Sequence, residues 1–193
     1  MAKRARRGGQ VRIISGDWRG RRLPVPDAPG LRPTGDRVRE TLFNWLRAEI
    51  PGRRVLDLFA GSGALGFEAA SLGAAEVCLV EADARVARQL RENAARLGAE
   101  RVTIENREAD QWLAEADRAY DIVFLDPPFE AGLLTQVIDS LLDRGIIAPA
   151  GRIYYEYDAV GGEPVIDPRL RPLRHKRAGQ VGFGLLEPVA STG

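Results

Sequence analysis

The stretch from Val55 to Gly63 constrains this chain more than any other. Val55-Leu56-Asp57-Leu58-Phe59 is an apolar run interrupted by one acid, and the glycine turn Ala60-Gly61-Ser62-Gly63 follows at once. A helical pattern then begins at Ala64-Leu65-Gly66-Phe67. Strand, glycine loop and helix open a βαβ unit, so the chain must build at least part of a parallel sheet with helices packed on it. The spacing Gly61-x-Gly63-x-x-Gly66 fits the dinucleotide fingerprint, a weak pattern by itself. Asp57, four residues before the first glycine, is the informative departure. A carboxylate at the end of that strand repels a pyrophosphate and attracts an ammonium group.

The ligand that suits an acid beside a glycine turn is S-adenosylmethionine, whose methionine end carries an amine. Phe59, Ala60, Gly61, Ser62 and Gly63 are the residues expected to cradle it. Glu76–Val80 reads as the next strand and ends at Glu81-Ala82-Asp83, with Glu81 18 residues past Gly63. An acid there is placed to accept from both ribose hydroxyls, with Ala82 beside it, while Asp83 caps the helix over Ala84–Leu97. Val102–Glu105 reads as a third strand, followed by a loop Arg107-Glu108-Ala109-Asp110. An adenine base placed there has Glu108 as acceptor and the Ala109 backbone as donor, or the register slips by two to Asp110.

A second motif stands at the end of the continuous apolar run Tyr120–Leu125, a buried strand by its pattern. It delivers Asp126-Pro127-Pro128-Phe129. Two prolines fix a rigid turn and donate no backbone hydrogen bond, so the Asp126 carboxylate and the proline carbonyls can only accept. A planar amino group is the partner that such a turn suits, and the Phe129 ring can stack on the base that carries it. A plain proline turn accounts for the prolines but not for the acid and the aromatic beside them.

Net charge hides an asymmetry. Residues 1–39 hold eleven Lys or Arg against three Asp, a net of +8, and the chain total of +1 leaves −7 on the remaining 154 residues. A basic arm on an acidic body marks a binder of polyanions. Residues 1–10 read as a disordered basic tail. Val11–Ile14 alternates at strand period, Ser15-Gly16-Asp17 signals a turn, and Trp18–Leu23 returns, giving a hairpin extension over residues 11–35. Arg12, Arg19, Arg21, Arg22, Arg32, Arg37 and Arg39 are the candidate phosphate contacts, and Trp18 the candidate stacking ring. A helix is expected over Asp36–Arg47, burying Val38, Leu42, Trp45 and Leu46, and the body from residue 36 to 193 reads as one α/β domain.

Further on, Leu133–Leu142 reads as a helix, Arg152–Tyr157 as a strand with packed tyrosines, and Leu170–Lys176 and Gln180–Leu186 as two late strands. His175 lies in a basic strand and reads as structural or as a phosphate contact. The lone Cys78 sits in an apolar run and is expected to be a buried, inert thiol. One Cys and one His do not make a zinc site, and no metal is expected. No apolar run reaches a membrane-spanning length and no secretory signal is present, so a cytoplasmic location is expected. No exposed apolar stripe demands a dimer, and a monomer is expected.

Together, Asp57-Leu58-Phe59-Ala60-Gly61-Ser62-Gly63 and Asp126-Pro127-Pro128-Phe129 resemble an amino-directed, S-adenosylmethionine-dependent methyltransferase. Arg12-Ile13-Ile14-Ser15-Gly16-Asp17-Trp18-Arg19-Gly20-Arg21, with Leu31–Leu46 and Ala178-Gly179-Gln180-Val181, narrows the likeness to the RsmD family of bacterial small-subunit ribosomal RNA guanine-N2 methyltransferases. The resemblance covers about residues 11–187. It implies a Rossmann-like class I methyltransferase fold, with a mostly parallel seven-stranded sheet closed by a C-terminal antiparallel hairpin. It also implies transfer from S-adenosylmethionine, leaving S-adenosylhomocysteine, to the exocyclic amine of one guanine in 16S ribosomal RNA on an assembled or partly assembled small subunit. Direct transfer without a covalent enzyme intermediate is expected, on a base that is unpaired or flipped out. Other readings remain: adenine N6 in DNA or a protein glutamine as acceptor, a non-catalytic ribosome-assembly factor, and a nicotinamide oxidoreductase.

Overall fold

The computed structural model describes residues 9–28, 31, 35–129 and 132–189. The basic segment 1–8, Arg32 and the connector around it lie outside the described residues. The elements in chain order are β1 (Gln10–Arg12), β2 (Arg22–Pro24), α1 (Asp36–Leu46), β3 (Arg54–Asp57), α2 (Ala64–Ser71), β4 (Glu76–Val80), α3 (Ala84–Leu97), β5 (Val102–Glu105), α4 (Ala109–Glu115), β6 (Tyr120–Leu125), α5 (Leu133–Asp143), β7 (Ile147–Asp158), β8 (Leu170–Ala178) and β9 (Val181–Pro188).

Seven strands form one sheet in the order β5-β4-β3-β6-β7-β9-β8. The first five run parallel, and β9 and β8 add as an antiparallel pair. The order reverses between β3 and β6, and ligands of open α/β sheets bind at such a switch point, outside the carboxyl ends of the strands. Asp57, Glu81 and Asp126 all stand at that edge, because each follows or ends a parallel strand. The expected Rossmann-like architecture is therefore present, with its C-terminal hairpin.

Burial on both faces explains why the central strands are apolar throughout. One face of the sheet carries a core that includes Leu42, Phe43, Phe67, Phe124, Tyr154 and Phe183. The other carries Leu56, Val80, Val123, Tyr155 and Leu186, covered by α4 and α5. α3 shows how local rules set an element: Asp83 accepts from the backbone N–H of Arg85 (2.7 Å) and Val86 (3.1 Å), Val86 and Leu90 face the core, and Gly98 ends the helix in the left-handed region.

The N-terminal extension departs from its expected form. The alternation predicts strands over Val11–Ile14 and Trp18–Leu23, but the paired strands are the shorter β1 and β2. Ile13 still bridges to the return segment, donating to the Arg21 carbonyl (2.9 Å) and accepting from Gly20 N–H (2.8 Å). The next two amides turn away: Ile14 N–H and Ser15 N–H donate to the Glu68 carboxylate at 2.9 and 2.6 Å. Ser71 Oγ donates to the Ser15 carbonyl (2.6 Å) and accepts from Trp18 N–H (2.9 Å). Gly16 lies so close that a Cβ there would stand 2.0 Å from the Ser71 carbonyl oxygen, and its φ of +76° suits glycine. Tertiary docking on α2 thus outcompetes the hairpin ladder.

Two other boundaries differ. The loop expected over 107–110 is in part helical: Ala109 and Asp110 open α4, because Trp112 and Leu113 bury a face at helical spacing. β7 begins at Ile147, earlier than its pattern suggested, because a register irregularity between Tyr120 and Ile122 of β6 absorbs Pro149–Gly151.

Candidate active site

A cleft of about 1230 Å³ opens at the carboxyl edge of the sheet. Its wall includes Asp57, Phe59, Ala60, Gly61 and Ser62 from the β3–α2 turn, and Glu81 and Ala82 from the end of β4. Glu108, Ala109 and Asp110 contribute from the start of α4, and Asp126, Pro127, Pro128 and Phe129 from the end of β6. The four separate stretches singled out in the sequence therefore meet in one place. Gly63 is absent from the wall. It caps α2 with φ +76°, and a Cβ there would meet Leu90 and Phe67 at 2.6–2.7 Å, so it shapes the turn from behind.

Asp57 is 1% exposed, and its carboxylate accepts from Gly66 N–H at 3.0 Å, which ties the strand end to α2. Burial raises its pKa to about 7, with Asp126 and Glu81 adding repulsion against the single backbone hydrogen bond. Glu81 accepts from Gly61 N–H (2.9 Å) and Asp83 N–H (2.8 Å), so it holds the glycine turn against β4. Burial raises its pKa as well. A buried acid that is costly to ionise and five further carboxylates on the wall (Glu81, Asp83, Glu108, Asp110 and Asp126) make a site that favours a cation over a pyrophosphate.

The Asp126 turn sits as its sequence requires. Asp126 is half-buried, Pro127 is buried, and Phe129 is 51% exposed at the mouth. Cys78 is 5% exposed and packs in the far-face core, where burial pushes its thiol up to about 12. That thiol is unavailable as a nucleophile.

The sequence reading missed Glu156. The β6–β7 register pairs Leu125 with Tyr155, so Glu156 follows on the strand beside Asp126. Glu156 is 4% exposed, receives a hydrogen bond from the Tyr154 hydroxyl (2.7 Å), and is pushed up to about 8 by burial and by Asp126. A lone acid within an apolar tyrosine strand was the available signal.

The basic candidates separate. Arg12, Arg19, Arg21, Arg22 and Arg37 are exposed, and Ala28 and Leu31 of the same extension reach the cleft wall. Trp18 is half-buried against the core, so only part of its ring is available for stacking. Arg39 is a correction: expected as a phosphate contact, it is 1% exposed. Its guanidinium donates to the Arg12 carbonyl at 3.0 Å, pairs with Asp36 and lies 3.9 Å from Glu68. Those partners leave it no access to a phosphate. His175 stacks on Tyr157 at 6.0 Å, with its Nε2 2.8 Å from the Tyr157 hydroxyl.

Comparison with known proteins gives this site its context. The family described as Conserved hypothetical protein 95 matches residues 11–187. The Ribosomal RNA small subunit methyltransferase D of Escherichia coli K12 is 50% identical over 182 residues, 94% of this chain and 92% of the relative. The chain belongs to this family, the RsmD methyltransferases. The Haemophilus influenzae protein of the same name is 44% identical over 184 residues, 93% of this chain and 94% of that one. The solved structure of Escherichia coli yhhF is 46% identical with a TM-score of 0.88, covering 95% of this chain and all of that one. In this RsmD-family chain, the acids at the ends of β3, β4 and β6 are the groups that the cleft brings together.

Proposed function

We propose that this protein transfers a methyl group from S-adenosylmethionine to the exocyclic N2 of one guanine in 16S ribosomal RNA of the small subunit. One observation carries the reading: an acceptor-only turn, Asp126-Pro127-Pro128, opens into the same cleft as the buried Asp57. The names of the ribosomal RNA methyltransferases to which the chain is similar support the substrate class.

The residues present fit the cofactor. Asp57 would meet its ammonium group, whose positive charge would favour the ionised form of the buried carboxylate. Gly61 and Ser62 would line its path, Glu81 would accept from the ribose, and Glu108 and Ala109 or Asp110 would border the adenine. When bound, S-adenosylmethionine supplies an electrophilic methyl group.

The rest falls to the chain. The guanine N2 lone pair is delocalised into the ring and is a poor nucleophile. The Asp126 carboxylate and the Pro127 carbonyl would accept its two N–H bonds, which favours a pyramidal nitrogen with its lone pair free. Phe129 would stack on the base and hold it in the cleft, which requires the base to leave any helix first. Positioning and electrostatics supply the acceleration, and no prior deprotonation is needed because the nitrogen becomes acidic once methylated and its proton can then pass to the Asp126 carboxylate that accepts that N–H. Exposed arginines of residues 11–35 would hold the RNA backbone, while the body from residue 36 carries out transfer.

Asp126→Ala tests the assignment. Transfer to small subunits should fall by about 10²- to 10³-fold, the scale seen when a group that stabilises the transition state is removed. Cofactor affinity should stay within about tenfold. Equal losses of rate and of cofactor binding would reduce Asp126 to a cofactor ligand and remove the amine-binding role.

A further inference from the structure

The C-terminal hairpin carries a second basic surface outside the N-terminal extension. β7 runs parallel to β6, and its Tyr155 pairs with Leu125, the last residue of β6. Asp158 pairs with Val181, and Val181 pairs with Ala178. The turn between β8 and β9 therefore lies at the carboxyl edge, three residues or about 10 Å beyond the last residue of β6. Three strand spacings, about 15 Å, separate it sideways from β6.

β8 carries Arg174-His175-Lys176-Arg177, four consecutive exposed residues, into that turn: Lys176 and Arg177 stand at the edge, and Arg174, paired with Leu185 and through it with Tyr154 and Phe124, stands two residues behind Asp126. Lys176 opposes Phe183 on one face and stands 6.0 Å from the Trp45 ring, whereas His175 lies against Tyr157 on the other. The cations therefore wrap the strand. Edge strands often carry charge, Lys above all, to discourage pairing. The distribution of partners argues for more. Arg171, at the far end of β8, pairs with Glu187. Glu163 faces His175 at 3.8 Å, and Asp158 accepts from Val160 N–H. Arg174, Lys176 and Arg177 make no ion pair with any described residue. Unneutralised cations at the catalytic edge, on a body that is otherwise acidic, suit a polyanion that already reaches that edge.

We propose that the β8–β9 tip is a second phosphate-binding surface, where Arg174, Lys176 and Arg177 hold the RNA backbone flanking the target guanine. This rests on the ribosomal RNA reading above. With the N-terminal arginines, it makes the contact two-sided, so that the backbone is held on both sides of the base that enters the cleft. Charge rather than base identity is read there, because contacts to phosphate position the RNA and carry no sequence information.

The test is retention of 16S RNA on filters at several salt concentrations, comparing the wild type with the R174A/K176A/R177A variant and with Arg171→Ala on the same strand. The triple variant should bind at least about tenfold more weakly near 0.15 M salt, and the slope of log K against log salt should fall by about 2 to 3. Its affinity for S-adenosylmethionine should be unchanged, and R174K/R177K should restore RNA binding. Wild-type affinity and slope in the triple variant would overturn the proposal, as would an equal loss in Arg171→Ala. Should the triple variant also lose cofactor binding, Arg174→Gln carries the test, with a slope change of about 1 expected and an unchanged slope overturning the claim. Binding is read here without methyl transfer. A wild type that binds RNA through the tip but methylates no ribosomal RNA would defeat the proposed function and leave this surface standing.

Discussion

Asp57 shows how a single side chain can set both stability and binding. Its folded pKa of about 7 lies above the ordinary value of 3.8, because the carboxylate is buried. Below about pH 4 it is protonated in both states and costs nothing. As pH rises toward 7 the unfolded chain gains from ionising while the folded chain does not, so stability is lost through that window. Asp57→Asn keeps an acceptor for Gly66 N–H and removes the titration. The variant should be more stable than the wild type at pH 8, by about 2 to 4 kcal/mol, and equally stable near pH 4. Urea unfolding at the two values checks this, and a difference that does not depend on pH would contradict the burial argument. A cationic ligand reverses the preference. Binding of S-adenosylmethionine to the wild type at pH 6 should release up to about one proton, read by calorimetry in buffers of different ionisation enthalpy, and Asp57→Asn should release none.

Asp57 and Asp126 were legible in the sequence because each ends an apolar run, where a carboxylate has few structural uses. Arg39 was not, since its place beside the apolar stripe of α1 gave no hint that Glu68, 29 residues away, would draw it inside. Glu156 was hidden for the same reason: its burial depends on the strands beside it.

Among the elements, α2 is the pivot. All eight of its residues are buried, between the sheet and the N-terminal extension, and it starts directly after the glycine turn. Glu68 and Ser71 hold residues 14–18 from one side while Gly66 N–H holds Asp57 from the other. Gly16→Ala inserts a methyl 2.0 Å from the Ser71 carbonyl at a backbone angle that disfavours alanine. We expect local undocking with a cost of about 2 kcal/mol or more. Amides of residues 13–21 should exchange faster by at least about tenfold, and RNA affinity should fall, with cofactor affinity retained. Unchanged exchange would mean that the extension is held elsewhere. The hairpin was visible as a turn between two alternating runs, but its short ladder was not, because Glu68 competes for its amides only in the folded chain. α4 was missed because its seven residues follow a loop directly, and Trp112 and Leu113 gave too short a stripe to decide the period.

At the scale of the molecule, the sheet order and the edge on which the site lies follow from the alternation of strand and helix. Right-handed crossovers leave few ways to wind such a chain, and each returns a strand end to the same edge. The charge split between residues 1–39 and the remainder was equally plain, whereas the second basic surface at the β8–β9 tip needed the antiparallel register to place it. An acidic cleft bordered by basic projections is the arrangement expected of a protein that draws in a polyanion by its backbone and admits one base. The most direct measurement is methyl transfer from labelled S-adenosylmethionine to unmodified small ribosomal subunits, with free 16S RNA and DNA alongside and the labelled nucleoside identified by mass spectrometry. The account predicts N2-methylguanosine from the ribosomal RNA. Label confined to N6-methyladenine, or no label despite measurable cofactor binding, would contradict it.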